Sequence, residues 1–175
     1  MDLREFARES LERTRKATLT IVVGLSDEEL GWQPAPDANH IGFLLFHTFR
    51  AQDRYFNRWV GTGLEVWDAN GWSQRWRLPE HPGASDAWFV GNSWTTDEVR
   101  EWAPPPLSEL LAYGAEVQAS ALDVLDSLDL SRLPEVPRPE RPEFTIAYYL
   151  QQAVIHEAQH QGQIDYIAGL LRAGA

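Results

Sequence analysis

Hydrophobic positions recur at helical spacing in four separate stretches of the chain. Leu3, Phe6, Ala7, Leu11, Thr14, Ala17, Thr18, Ile21 and Leu25 fall on one stripe and predict a first helix over about 3–25, stopping near Gly24. A second helix is predicted from about His40 to Val60. Its first half, within IGFLLFHTF, is apolar nearly all round and should be deeply buried. A third runs from about Leu107 to Leu128, with Leu107, Leu110, Leu111, Gly114, Val117, Ala121, Val124, Leu125 and Leu128 on its stripe. The fourth runs from about Phe144 to Leu171.

The connections carry their own signals. Ser26–Glu29 reads as a capping box that starts a short turn, and Thr95–Glu98 caps a short helix through Trp102. GWQPAPDAN is a loop, Pro104–Pro106 ends one segment and restarts the chain, and LPEVPRPERPE is a stiff spacer. Gly61 to Pro106 is otherwise irregular, and a connection of that length is often functional. Strand alternation, heptad runs and repeats are absent from the pattern. The expected fold is all-α: a four-helix bundle with a long Trp-rich crossover between helices two and three.

Length favours a single domain over residues 1–175, able to bury roughly 70% of the unfolded chain's surface. Fifteen basic against 26 acidic residues give a formal charge of −11, which argues against nucleic acid and anionic membrane as partners. There is no Cys, so disulfides and protein thiolate ligands are excluded. With no signal-like stretch and no apolar run near 18 residues, a cytoplasmic protein is expected. Six of the eight Trp fall between Leu64 and Pro104. They read equally as a lid over a site, as aromatic core, or as a dimer surface.

The candidate chemistry lies in histidines. On a wheel of about 100° per residue, Ile146, Tyr149, Ala153, His156, His160, Ile164, Ile167 and Leu171 form one stripe of helix four. Gln151, Glu157, Gln161 and Asp165 lie mostly elsewhere. Two imidazoles four residues apart share a helix face and can reach one ion. Buried imidazoles need partners, and two protonated neighbours would repel. A shared divalent cation resolves both demands, and His47 on helix two supplies a third neutral ligand. Each histidine taken singly reads more simply as a hydrogen-bonded core residue. His40 reads as a helix-start residue and His81 as a loop residue, neither as a ligand.

The letters HEAQH also satisfy the zinc-protease pattern HExxH, with Glu157 as base. That reading needs a third ligand beyond His160, where only Asp165 is available, and a neighbouring sheet. Arg50, Arg54 and Arg58 lie on one side of helix two. Arg54 can receive a substrate carboxylate, but a solvated, salt-bridged face is the simpler reading. Gln163, one turn beyond His160, reads either as a residue orienting a ligand or as helix surface.

The chain resembles the DinB-like metalloprotein superfamily over nearly its whole length. The resemblance rests on GLSDEELGWQPAPDANHIGFLLFHTFRAQDRYF, VGNSWTTDEVREW and HEAQHQGQIDYIAGLLR, and is weakest from Leu64 to Phe89. His47, His156 and His160 match its ligand pattern position by position. It implies a four-helix bundle, a three-histidine site for a divalent ion, zinc or nickel, and a homodimer. It also makes the HExxH letters a coincidence of the HxxxH pair. Some members of that superfamily are transferases or isomerases using a low-molecular-weight thiol such as bacillithiol, mycothiol or glutathione. That implies a small-molecule substrate and leaves the reaction open. Three functions are compatible with the residues: thiol transfer to a small electrophile, metal-dependent hydrolysis with Glu157 or Asp53 as base, and a non-catalytic, metal-stabilised stress protein.

Overall fold

The side chain of Asp2 accepts from the backbone of Arg4 and Glu5 at 2.8 and 3.0 Å, and Glu5 answers by accepting from the Asp2 backbone at 2.8 Å. This reciprocal cap opens α1, Leu3–Val22. The computed structural model describes residues 2–81, 84–85 and 87–174. Among them there is no strand, and the chain is helical wherever it is regular. α1 ends at Val22, three residues short of the predicted Leu25, because Gly24 turns into the left-handed region at φ +97°. Leu3 and Phe6 of the predicted stripe are exposed, so burial begins at Ala7.

Ser26 and Glu29 form the expected capping box of α2, Asp27–Leu30. His40 caps α3, Ile41–Asp53, by accepting from the Phe43 amide at 3.0 Å. Every residue of α3 is buried, the polar second half included. The helix then widens into a π segment, Arg54–Val60, closed by a 2.7 Å bond from the Gly61 amide to the Phe56 carbonyl. Gly42 lets Pro104 pack onto α3, since a Cβ there would stand 2.6 Å from the proline's own.

The crossover contains more structure than its pattern indicates. It forms α4, Val66–Ala69; α5, Trp72–Arg75; a 3-10 turn, Trp88–Val90; and α6, Thr96–Glu101, with the predicted Thr95–Glu98 cap. Positions 82, 83 and 86 of this stretch lie outside the described residues. Trp67, Trp72, Trp76 and Trp102 are buried against Phe46 and Tyr113, so most of the indoles are core. The Trp72 and Trp76 N–H groups donate to Glu116 and Glu109 of α7, Leu107–Ser127, at 2.7 and 2.9 Å. The Pro-rich connection is pinned to the start of α8, Ile146–Ala173, by bonds from the Ile146 and Ala147 amides to Glu135 and Leu133.

α1 packs along α8, and α3 with its π extension packs against both α7 and α8. Two apolar clusters result. One holds Val22, Phe46, Trp102, Tyr113 and Ile164; the other holds Leu11, Phe56, Leu125, Tyr149 and Ala153. Along α3 and α8, buried polar residues fall between the two: His47, Arg50, Asp53 and Arg54 on one, Glu157 on the other. The expected solvated arginine face is therefore overturned for Arg50 and Arg54, and only Arg58 is substantially exposed. Glu65, from the crossover, reaches both buried guanidiniums at 2.8 and 2.9 Å. Asp53 accepts from Arg50, the Tyr113 hydroxyl, Asn57 and the amides of Val66 and Trp67.

This network sets a stability prediction. Arg50→Met keeps the bulk but leaves Glu65 and Asp53 with fewer cationic partners, both still buried. Urea unfolding should show a loss of about 3–5 kcal/mol. A loss below about 1 kcal/mol, the value of a surface pair, would mean that the network is not held as described.

Candidate metal centre

His47 lies on α3, one turn beyond Phe43, whose ring stacks on it at 5.9 Å between centroids. Its Nδ1 donates to the Val90 carbonyl at 2.5 Å. Val90 is held there by the 3-10 turn and by the next residue, Gly91, at φ +88°. A side chain at 91 would be strained in that region, and its Cβ would stand 3.2 Å from His47 Nδ1. A second bond, from Arg50 Nε to the Phe89 carbonyl at 3.3 Å, ties the same turn to α3. The orientation of His47 thus depends on the buried arginine network.

α8 presents the other two rings. His156 Nε2 is 2.9 Å from His47 Nε2 and 3.1 Å from His160 Nε2. His160 Nδ1 donates to Gln163 Oε1 at 2.7 Å, so Gln163 orients that ring as its position suggested. Candidate ligand atoms of all three histidines lie within 4.8 Å of one another. The structure therefore gathers the three residues singled out in the sequence, and no other group of this kind occurs among the described residues.

A count of protons shows what the cluster lacks. His47 and His160 each direct an Nδ1 proton at an oxygen. In neutral rings their Nε2 atoms are then lone pairs. His156 Nε2 faces both and carries at most one proton. At least one close N···N contact is therefore left with two lone pairs facing each other. Additional protonation is opposed by burial, which pushes His47 down to about 4. Burial and the neighbouring rings push His156 down to about 3. Burial lowers His160 as well. Three neutral imidazoles converging on one point form a donor set for a divalent cation. Metal–nitrogen bonds of about 2.0–2.1 Å at a tetrahedral angle would set ligand nitrogens about 3.3 Å apart, near the two contacts of 2.9 and 3.1 Å, with all three ligand atoms within 4.8 Å of one another.

The proposed bases fare differently. Asp53 is saturated by the five donors described above, none of them a histidine. Glu157, which the wheel placed off the histidine stripe, lines a small cavity with Arg15, Thr18, Thr48 and Phe49 that contains none of the three histidines. Burial pushes its carboxyl up to about 8, with Arg15 opposing. Asp165 is exposed near Arg172, so it supplies no third ligand for a protease-like site. His40 donates from Nε2 to the Val99 carbonyl while its Nδ1 caps α3, and His81 stands against Glu98 and Trp88; neither joins the cluster.

A cavity of ≈ 260 Å³, lined by none of the three histidines but by two residues that neighbour them, was not anticipated. Ala51, Tyr55 and Val90 contribute to its wall. Tyr55 lies 6.0 Å from the His156 ring, and Val90 is the acceptor for His47. Arg138 and Arg141, from what read as a mere spacer, line it too, with Phe144, Tyr148 and Tyr149.

A profile of the DinB superfamily matches residues 10–164, a span that includes all three histidines. A crystal structure of a conserved protein from Enterococcus faecalis has a TM-score of 0.86 over 99% of both chains, at 21% identity, and so shares the fold. No curated protein matches the chain.

The lowered histidines set the sign of an acid response. A histidine neutral in the fold but protonated when unfolded makes the unfolded chain bind more protons between about pH 6.5 and its folded pKa. Stability then falls as pH falls through that window. Glu157 acts with the opposite sign over the range 4.5 to about 8. Metal-stripped protein should therefore be compared with its His156→Ala variant. The wild-type stability, relative to the variant, should drop on acidification from pH 6.5 by up to about 1.4 kcal/mol per pH unit for this one group. Parallel curves in urea unfolding would contradict a buried, neutral His156.

Proposed function

The chain belongs to the DinB superfamily, and from its histidine cluster we propose a metal-dependent transferase, built on a four-helix bundle, that joins a low-molecular-weight thiol to a small electrophile. The observation that carries this reading is the convergence of three neutral Nε2 atoms at 2.9 and 3.1 Å with too few protons to satisfy them. His47, His156 and His160 would hold the ion, with zinc or nickel matching an all-imidazole donor set. A bound divalent ion would supply Lewis acidity, lowering the pKa of a thiol or water coordinated to it.

The protein's own groups would do the rest. Val90 and Gln163 fix two rings by their Nδ1 protons, leaving each Nε2 as a ligand. Neutral ligands leave the full charge of the ion available to an incoming anion. The aromatic side chains Tyr55, Tyr148 and Tyr149 nearby would limit the water that reaches a bound thiolate. An external thiol is the natural nucleophile in a chain without cysteine. Hydrolysis is the weaker reading, since Asp53 is fully engaged and Glu157 faces a different cavity.

Untagged protein should carry about one divalent ion per chain, and His160→Ala should lose it. Consumption of a low-molecular-weight thiol against a generic electrophile should require that ion. It should fall at least about 100-fold in His47→Ala, since even groups that only orient a ligand are worth about 10–100-fold. A metal content unchanged in His160→Ala would overturn the site. Thiol-independent ester or amide turnover would instead establish a hydrolase. A large loss of stability on chelation without turnover of either kind would leave the ion a structural role.

A further inference from the structure

The cavity beside the histidines has an unusual lining for so acidic a chain. Arg54, Arg138 and Arg141 contribute to its wall, and no Asp or Glu does so among the described residues. The rest is largely aromatic: Tyr55, Trp59, Phe144, Tyr148 and Tyr149. The Arg138 guanidinium lies over Trp59 at 4.8 Å, and that of Arg141 lies over Phe144 at 4.5 Å. Each is steadied by a solvent-exposed carboxylate, Glu140 and Glu143, at 2.9 and 2.7 Å. Such exposed pairs are weak and exchange readily for a better-placed anion.

A second observation points the same way. Tyr149 is 2% exposed and lines this cavity, and its buried hydroxyl, beside the Arg138 guanidinium, makes no well-formed hydrogen bond. A buried hydroxyl without a well-formed bond is costly. Its ring is fixed by Trp59 at 4.5 Å and Phe144 at 6.1 Å, so the hydroxyl is held in place. An anionic oxygen in the cavity would accept from Tyr149 while facing the arginine wall. A ring or short apolar chain would lie among the aromatic faces. The volume suits a small ligand of that kind.

We infer that this cavity binds the acidic substrate of the site, a small carboxylate with an aromatic or apolar body, with Tyr149 and Arg138 receiving the carboxylate. As an assignment of substrate class it rests on the histidine cluster being the reacting centre. Tyr55 and Val90, shared by the cavity wall and the histidines' surroundings, bring the two within one side chain of each other. Binding itself depends on the cavity alone.

Calorimetry with 3-phenylpropionate, 3-phenylpropionamide and propionate, on metal-loaded and on chelator-treated protein, tests this. The aromatic acid should bind both forms. The neutral amide and the ring-less acid should each bind about 10-fold more weakly or worse. Tyr149→Phe, which keeps the ring, and Arg138→Gln, on the surface connection, should each weaken the acid about 10-fold and leave the amide unchanged. Arg138→Lys should recover part of the loss. Equal affinity for acid and amide would overturn the inference, as would variants that bind the acid like wild type. Failure of wild type to saturate by roughly 10 mM would do the same. Retained, charge-dependent binding in a protein that shows no metal or thiol dependence would sink the transferase reading and leave the cavity assignment standing.

Discussion

A guanidinium at 0% exposure constrains everything around it, and Arg50 is that group. It is tolerated in the interior only when its donors are answered and its charge is balanced. Asp53 sits one turn away and supplies one carboxylate; Glu65 arrives from the crossover and supplies the other. Asp53 in turn gathers the amides of Val66 and Trp67, which starts α4 and lays Trp67 over Arg50 at 4.5 Å. Its Nε donates to the Phe89 carbonyl. The next carbonyl, Val90, orients His47. A single buried charge thus fixes where the crossover begins, where it returns, and which way one histidine of the cluster faces.

Much of this arrangement was legible in local pattern. The four long helices follow from periodicity, and the Ser26, Thr95 and His40 starts follow from side chains that satisfy free amides a few residues on. The His156–His160 pair was readable because it interrupts an apolar stripe. The arginines were misread for a reason specific to them. Arg50, Arg54 and Arg58 repeat every four residues, like any solvated helix edge. What buries the first two is Glu65, and nothing in helix two announces that partner. The π segment was invisible likewise, since it changes the geometry of residues 54–60 without changing their pattern. Arg138 and Arg141 sit among prolines and read as spacer, because a cavity wall formed by a folded-back connection has no periodicity of its own.

Charge distribution separates the surface from the site. The chain carries a formal −11, yet the groups around the histidines are neutral imidazoles, aromatic rings and guanidiniums. Surface carboxylates repel anions at long range, and salt screens that effect beyond about 8–10 Å. The cavity wall itself holds three guanidiniums and no carboxylate among the described residues, and each guanidinium is paired with a carboxylate outside that wall. An anion would therefore be opposed at a distance and received at contact only by exchange with those pairs, which is a basis for discrimination by shape and hydrogen bonding more than by electrostatic capture.

The same geometry explains why the crossover is so aromatic. A buried layer of arginines, carboxylates and histidines divides the apolar interior in two, and such layers are often less stabilising than well-packed apolar residues of equal volume. Each cluster alone is smaller than an undivided core would be. Trp67, Trp72, Trp76 and Trp102 enlarge one of them, each contributing a large apolar area, and the indole N–H groups of Trp72, Trp76 and Trp102 find acceptors. Replacing the polar layer by apolar residues would be a route to greater stability. It would also remove the Arg50 bond that holds the Phe89–Val90 turn, and with it the orientation of His47. The tryptophans are thus coupled to the histidines without touching them all: they offset a polar interior that the geometry of the cluster requires.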